Sequence, residues 1–523
     1  MQSPNKNRLP LRWITISFFW LVIFGLQFGM ESHKWELPFL DHSIYNGDNT
    51  LFTSYSRNGI VFNEPKTQLG LTMLQYKSWG KPSGRPTFYT HHPFLFKALF
   101  QQYVRVFGDA EWVSRSFAFG VASIATSGFY LGLIIASESA LAAFLGTFIL
   151  ISIPVFALFQ TAIKYEIDGM AAGSWFFVAV ALYLRRPSLT RLACVTALAA
   201  LSAMSHWTAL IFVGATVVWM AWEWARNRDH SAGKAALSAL LGSVAGTAAV
   251  IATFAWLKGG WAQFYADIFE VAASRSDITE IPPGEWSRQQ VEYVVANFGK
   301  LLPGVVAILA ISMFVKWGRD WLKDKTKTPG CARDHLLPAF FFCTLATACV
   351  WQFVFCEGSY DHNYWQLWFC IPIAGLIAMG IKASRASLKA LRMAVILTVV
   401  LGLWLQVYSH QSYQVILNRQ IGTPQDIQFI KSLRQDVFTR FVYIPTLATP
   451  INLWSKGKNF DYYTDRGLEG YVNGMTLELG DKVLLPLAED QGKYVELVEK
   501  GLHVELMNTK CSQRLCAYDV VKR

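Results

Sequence analysis

Acidic and imidazole side chains in this sequence collect where apolar runs end. Asp41, His42 and Asp48 follow the first run, and His91 and His92 stand in "FYTHHPFLF". Glu166 and Asp168 lie in "KYEIDG", His206 in "SHW", and Asp361 and His362 in "SYDHNYW". A carboxylate can take a proton from a hydroxyl, and an imidazole can donate to an anion near neutral pH. That chemistry needs the groups in one place. Taken singly, each is most simply a wetted loop residue, because an ionisable group in hydrocarbon costs a few kcal/mol unless it is solvated or paired. The three short turns, however, hold their residues at membrane depth on one face. Their convergence with the first polar segment would build one polar cavity at the interface, suited to a substrate with a long apolar tail and a polar head.

The elements that must position these groups are read from composition. Of 523 residues 53% are hydrophobic and only 16% charged, against about a quarter charged in soluble proteins. Apolar runs close to the ~20 residues that cross a bilayer recur along the chain, so it reads as a polytopic membrane protein. The net charge of +11 would point to nucleic acid in a soluble protein. Here the Lys and Arg residues cluster in short loops between apolar runs, which is the positive-inside pattern, and nucleic acid is not expected as a partner. Residues 13–30 follow a basic start and precede no A-x-A site, so they read as a retained span rather than a signal peptide.

About eleven spans are predicted: 13–30, 113–135, 139–161, 170–184, 192–204, 208–224, 236–257, 298–315, 336–355, 366–381 and 393–408. With the N-terminus cytoplasmic, the basic turns at Arg185–Arg191, Arg226–Lys234, "KWGRDWLKDKTK" and Lys382–Arg392 all fall inside. Residues 31–112 then form a large first outer loop. Within it "PFLFKALFQQYVRVF" has helical period but too many polar residues to span, and reads as an amphipathic helix with its apolar side in the headgroup boundary. The organisation expected is a transmembrane domain over 1–409 and a small outer α/β domain over 410–523. In the latter, "DIQFIKSLRQDVF" reads as helix and "RFVYIPTLA", "KVLLPLAE", "HVELMN" and "CAYDVVK" as strands. Cys511 and Cys516 are spaced for a short local disulfide in an oxidising compartment, or are two free thiols. The other cysteines show no zinc-ligand spacing. The middles of the spans are nearly free of charge, whereas transporter sites usually lie at the midplane on broken helices. An enzyme acting on a lipid-linked substrate is therefore favoured. A lipid-linked sugar flippase or a scaffold presenting the C-terminal domain are the alternatives.

"FYTHHPFLFKALFQQYVRVFGDAEWVSRSFA" resembles the "HPP…FG…R" segment of the GT-C membrane glycosyltransferases. These include the protein O-mannosyltransferases, the lipid A aminoarabinose transferases and family-39-like bacterial proteins. "HSIYNGDNTLFTSYSRNGI" is similar to the first outer loop of one bacterial subgroup, and "AIKYEIDGMAAGSWFFVAVALYL" to the exit of the third span. "ALSAMSHWTALIF" occupies the place of the short turn between spans five and six. The resemblance covers roughly residues 10–400. The chain departs from it in lacking an Asp-Glu pair in the first loop, in having Phe94 for the second proline, and in replacing the lysine of the later turn around His206.

The resemblance implies a GT-C fold and transfer of a sugar, with inversion, from a polyprenyl-phosphate carrier to a lipid, glycan or protein acceptor at the periplasmic face of a bacterial inner membrane. It implies Asp41 as general base, with Asp48 next, and Asp168 with Glu166 orienting the acceptor or an ion. His92, His206, His362, Lys164 and Arg57 become candidates for the phosphate, with His91 beside them and His42 and Asp361 completing the substrate-facing set. The resemblance fixes no cofactor, since some relatives use a divalent metal and others do not; one held by Asp and His is possible chemistry that no ligand spacing identifies. Tyr364 and Trp365 read as an interfacial aromatic belt.

Overall fold

Prolines, glycines and charges cut the apolar runs into helices of different lengths. The computed structural model describes residues 8–35, 47–76, 82–277, 281–282, 284–323, 332–418, 429, 432–433, 441–443, 458–464, 467–473, 479, 482–487, 491–513 and 515–522. In chain order the first helices are α1 (Arg8–Glu31), α2 (Gly47–Phe62), α3 (Leu95–Phe107), α4 (Glu111–Ser137), α5 (Ala140–Ser152) and α6 (Pro154–Phe159). They are followed by α7 (Tyr165–Arg185), α8 (Leu189–Ser205), α9 (Trp207–Asn227), α10 (His230–Lys258), α11 (Trp261–Ser276) and α12 (Glu285–Phe298). The last are α13 (Leu302–Lys323), α14 (Leu336–Val354), α15 (Cys356–Asp361), α16 (Cys370–Ala383), α17 (Leu388–Asn418) and α18 (Gln491–Leu502). A 3-10 segment, Asn363–Phe369, leads into α16. The strands are β1 (Thr72–Tyr76), β2 (Pro82–Phe88), β3 (Phe441–Tyr443), β4 (Lys458–Thr464), β5 (Gly467–Asn473), β6 (Lys482–Pro486), β7 (Glu505–Cys511) and β8 (Leu515–Lys522).

Contacts divide the chain into two units, one of residues up to Lys34, Thr90–Phe96 and Ser116–Gln414, the other of Trp35–Tyr89, Lys97–Arg115 and the residues from Val415 onward. The first unit is the helical membrane body. Among the described residues eight helical segments are long and apolar enough to cross a bilayer; a bent pair, α12 with α13, and the shorter apolar helices α5 and α8 complete the predicted spans in order. Large apolar side chains on their outer faces, such as Leu241, Ile308 and Val400, are exposed, as lipid-facing positions must be. Within this body α7 is the most enclosed, with 89% of its apolar window buried.

Two spans differ from the sequence expectation. The third is broken, because α5 ends at Ile153 and Pro154 opens α6; proline has no N–H to continue the helical ladder. The eighth is bent by 95° where α12 gives way to α13. The outer loop expected over 258–297 carries α11 and most of α12 instead. Contacts at the helix ends sort into two sets. Arg185 on α7 pairs with Glu138 between α4 and α5 at 2.8 Å. Glu223 on α9 meets His335 ahead of α14 at 2.8 Å. The Asp229 carboxylate accepts from the Ala332 amide at 3.2 Å. At the opposite ends of the helices, Trp207 Nε1 donates to the His91 carbonyl at 2.8 Å and Lys34 Nζ to that of Ala157 at 3.3 Å. Each contact joins ends that alternate threading puts on one side.

In the second unit β1 and β2 form an antiparallel ribbon, and α2 lies against β5. The C-terminal strands form one sheet, ordered β5-β4-β3-β6-β8-β7, in which only β3 and β6 run parallel. Phe429, Leu433, Leu484, Leu515 and Ala517 make a small core, and Cys511 and Cys516 are disulfide-bonded. The strands read in "RFVYIPTLA", "KVLLPLAE", "HVELMN" and "CAYDVVK" are present as β3, β6, β7 and β8, with bounds that differ by several residues; β4, β5 and α18 are additional. Most of "DIQFIKSLRQDVF" lies outside the described residues.

The amphipathic helix is present as α3, with apolar side chains on both its exposed and its buried sides. Lys97 and Gln101 are buried, while Leu99, Val106 and Phe107 are exposed. The cause is local. Gln101 Oε1 accepts from the Gly70 amide at 2.5 Å, and the Lys97 ammonium rests 4.7 Å from the Phe52 ring centre. Gly70 adopts φ +67, and a Cβ there would lie 2.2 Å from the Lys97 carbonyl oxygen, so only glycine lets that turn reach α3. Gln101→Leu is expected to leave the Gly70 amide buried without its acceptor. The expected cost is about 1–3 kcal/mol, read as a lower melting temperature and faster hydrogen exchange at Gly70.

Candidate functional site

The entry to α7 sets the site. Lys164 is its N-cap residue, in extended conformation, and Glu166 and Asp168 occupy its first turn. All three are at least 97% out of solvent. Carboxylates suit this position because the first-turn amides and the helix dipole favour negative charge. The Lys164 ammonium lies 3.7 Å from the centre of the Tyr364 ring and 5.0 Å from that of Phe159. Desolvated cation–π contacts of this kind are worth about 2 kcal/mol.

His206 stands between α8 and α9 and caps the latter. Its Nδ1 accepts from the Thr208 amide at 3.3 Å and lies 2.6 Å from the Thr208 hydroxyl. With Nδ1 the acceptor, Nε2 is the ring's donor. This arrangement needs α7 and α9 close together. A Cβ on Gly169 would fall 2.7 Å from Thr208 Oγ1 and 3.2 Å from the His206 Cβ.

Ring contacts then link the segments. The His92 ring centre is 4.5 Å from that of Tyr165 and 5.0 Å from that of His206. His206 meets Trp351 edge-on at 5.1 Å, and Trp351 stacks on Trp365 at 4.5 Å. Trp365 stacks on His362 at 5.9 Å, and His362 meets Tyr364 at 5.2 Å. Tyr364 carries Lys164, which closes the circuit. His362 Nδ1 is 3.0 Å from the Gly358 carbonyl, so Nδ1 carries the proton and Nε2 faces elsewhere. Trp365, expected in an interfacial belt, is instead buried in this circuit, stacked between Trp351 and His362.

The predicted residues therefore divide. His92, Lys164, His206 and His362 share one contact network, with Glu166 and Asp168 on the adjoining helical turn. Asp361 is exposed beside His362. Arg57 lies half-buried on α2 in the other unit, and Asp48 lies on the same helix. Asp41 and His42 lie outside the described residues.

His91 is held by groups that the sequence did not single out. Thr90 Oγ1 donates to Asp267 Oδ2 at 2.7 Å, and Lys258 pairs with the same oxygen at 2.9 Å. Arg275 pairs with Glu357 at 2.9 Å. Burial pushes the Asp267 carboxyl up, but the hydrogen bonds from Thr90 and Lys258 and the nearby positive charge outweigh it, so its pKa lies below the ordinary value. Burial lowers the His91 pKa; Asp267 opposes that, and Lys258 and Arg275 add to it. Nothing in the spacing of Asp267 separates it from a wetted helix residue, and α11 itself was not foreseen. Among the described residues no three His, Cys, Asp or Glu side chains gather to hold a metal ion.

The helical architecture is that of the GT-C membrane glycosyltransferases: the chain has the GT-C fold. It is similar to the crystal structure of ArnT from Cupriavidus metallidurans in the apo state, with a TM-score of 0.55 and 12% identity over 96% of this chain and 98% of that one. The same protein bound to undecaprenyl phosphate gives a TM-score of 0.52 and 11% identity over 95% and 97%. The apo oligosaccharyltransferase from Archaeoglobus fulgidus gives 0.51 and 11% over 80% of this chain, which spans 58% of that longer protein. No family model matches the sequence, and no curated protein matches it either.

Asp267→Asn is expected to weaken the hold on Thr90 and to lower the His91 pKa further, since the carboxylate is the one group named above that raises it. The check is the pH dependence of His91 modification by diethyl pyrocarbonate, whose midpoint should move to lower pH than in the unaltered protein.

Proposed function

We propose that the protein is an integral-membrane glycosyltransferase that moves a sugar from a polyprenyl-phosphate carrier to an acceptor hydroxyl. The observation that carries this reading is the gathering of Lys164, His92, His206 and His362 beside two buried carboxylates at one set of helix ends. The fold supports it, since it runs nearly the full length of ArnT, a protein crystallised with undecaprenyl phosphate.

The chemistry assigns the groups as follows. A carboxylate of the first outer loop, Asp41 in preference to Asp48, takes the proton from the acceptor hydroxyl. The freed oxygen attacks the anomeric carbon from the side opposite the phosphate, so the configuration inverts. The bond from carbon to phosphate oxygen breaks, and polyprenyl phosphate leaves carrying the electron pair. Lys164 supplies positive charge to that leaving group, and the imidazoles of His92, His206 and His362 supply donors. Arg57 and His91 serve the same phosphate, and His42 and Asp361 contact substrate at its edge. Asp168 and Glu166 orient the acceptor. On this reading the N-terminus is cytoplasmic, in keeping with the basic turns, and the chemistry lies on the periplasmic face of a bacterial inner membrane. The transmembrane domain over 1–409 performs it, and the 410–523 domain, also periplasmic, contributes to acceptor recognition.

A flippase would leave the bond from sugar to phosphate intact. Purified protein given radiolabelled polyprenyl-phosphate sugar and acceptor is expected to release free polyprenyl phosphate; no release would favour transport instead. Asp41→Asn is expected to reduce transfer by roughly 10²–10⁴-fold, the usual worth of a general base, while donor binding persists. Full activity in both Asp41→Asn and Asp48→Asn would remove the base from that loop.

A further inference from the structure

Apart from the contact network of His206, a cavity of about 260 Å³ opens among the ends of α1, α6 and α17. Its floor is a buried ion pair: Lys34 Nζ lies 2.8 and 2.7 Å from the two carboxylate oxygens of Glu31. The same ammonium donates to the Ala157 carbonyl at 3.3 Å and lies 4.6 Å from the Tyr413 ring centre. Ser409 is buried in the wall, and His33 and His410 are exposed at the mouth.

We propose that this cavity binds the phosphate headgroup of a membrane lipid, at a site separate from the one assigned to the sugar donor. Three features argue for an anion. Among the described residues Glu31 is the only carboxylate lining the cavity, and Lys34 neutralises it. The other ionisable groups are two imidazoles and a phenol, and Ser409 and Gln406 add a hydroxyl and an amide. That set is rich in hydrogen-bond donors. Finally, a buried ion pair is usually no more stable than packed apolar side chains of the same volume; here it sits beneath an opening, and its Lys34 ammonium is the one Lys or Arg cation among the described lining residues. The size fits a headgroup, being below the ~300 Å³ at which sites for drug-sized ligands begin.

The flanking helices argue for a lipid rather than a free ion. Only 17% of the apolar window of α1, and 17% of that of α17, is buried in the protein. An acyl or prenyl chain attached to a phosphate in the cavity therefore has two apolar helix faces to lie along.

The test uses the full-length protein in a neutral detergent, titrated calorimetrically with dodecyl phosphate and, separately, with inorganic phosphate. His33 and His410 are exposed, so the His33→Ala, His410→Ala protein is expected to keep its unliganded melting temperature. Dodecyl phosphate is expected to bind it at least tenfold more weakly than the unaltered protein. The comparison is repeated on a His206→Ala, His362→Ala background, which removes imidazoles assigned to the donor phosphate; the tenfold loss should persist there. Unchanged affinity on substituting His33 and His410 in either background overturns the proposal. Inorganic phosphate binding as tightly as dodecyl phosphate overturns its lipid part and makes the occupant a free anion. Neither outcome bears on whether the protein transfers sugar.

Discussion

The Lys164 ammonium is nearly out of water and rests on the face of Tyr364, and this contact constrains much of what surrounds it. Removing such a group from water costs several kcal/mol, more than one cation–π contact returns. The balance must come from negative charge and dipoles nearby. Two buried carboxylates follow in the first turn of α7, and the α7 N-terminus cannot supply attraction to a cation. The two carboxylates, and not the helix dipole, are therefore the groups that must offset that cost, and they do so out of water because α7 is the most buried of the long helices.

Enclosure in turn fixes which helix ends can meet. The small residues at the start of α7 let α9 come close enough for Thr208 to bond His206. His206 then presents its edge to Trp351 on α14, and Trp351 stacks on Trp365 just beyond α15. A buried amide network ties the same region to α12. Gln366 donates to Gln290 at 3.1 Å, and Asn297 donates to Gln366 at 3.1 Å and to the Asn363 carbonyl at 2.7 Å. Polar groups buried this deeply hold one arrangement only if all find partners. The bend after α12 is therefore not slack in the chain; it lets the amides of α12 reach partners beyond the end of α14.

The sequence made the spans legible because hydrocarbon tolerates few charges, so length and composition alone mark where the chain crosses. The same cost made helix ends carrying Asp, Glu, His and Lys conspicuous; of these, His92 and His206 touch directly, and Lys164 and His362 are linked to them through the rings of Tyr364, Trp365 and Trp351. What composition could not reveal was local satisfaction. The burial of Lys97 and Gln101 depends on Gly70 offering an amide and on Phe52 offering a ring face, and neither partner is close in sequence. Asp267 looks like any solvated acid until α11 brings it to Thr90. Pro154 was visible, yet a run this apolar hides a break that changes little in hydropathy. The first-loop carboxylates remain a reading of resemblance, with Asp41 beyond the described residues.

Geometry also separates the phosphate candidates by kind. His206 and His362 each have Nδ1 committed to a neighbour, one as acceptor and one as donor. Their Nε2 atoms therefore differ: that of His206 is a donor without taking up a proton, whereas that of His362 becomes one only on protonation. Lys164 needs no such change. A leaving phosphate gains charge as its bond to the sugar breaks, so the most useful groups are those whose donor state is set beforehand. By that criterion the proposed assignment rests chiefly on Lys164 and His206.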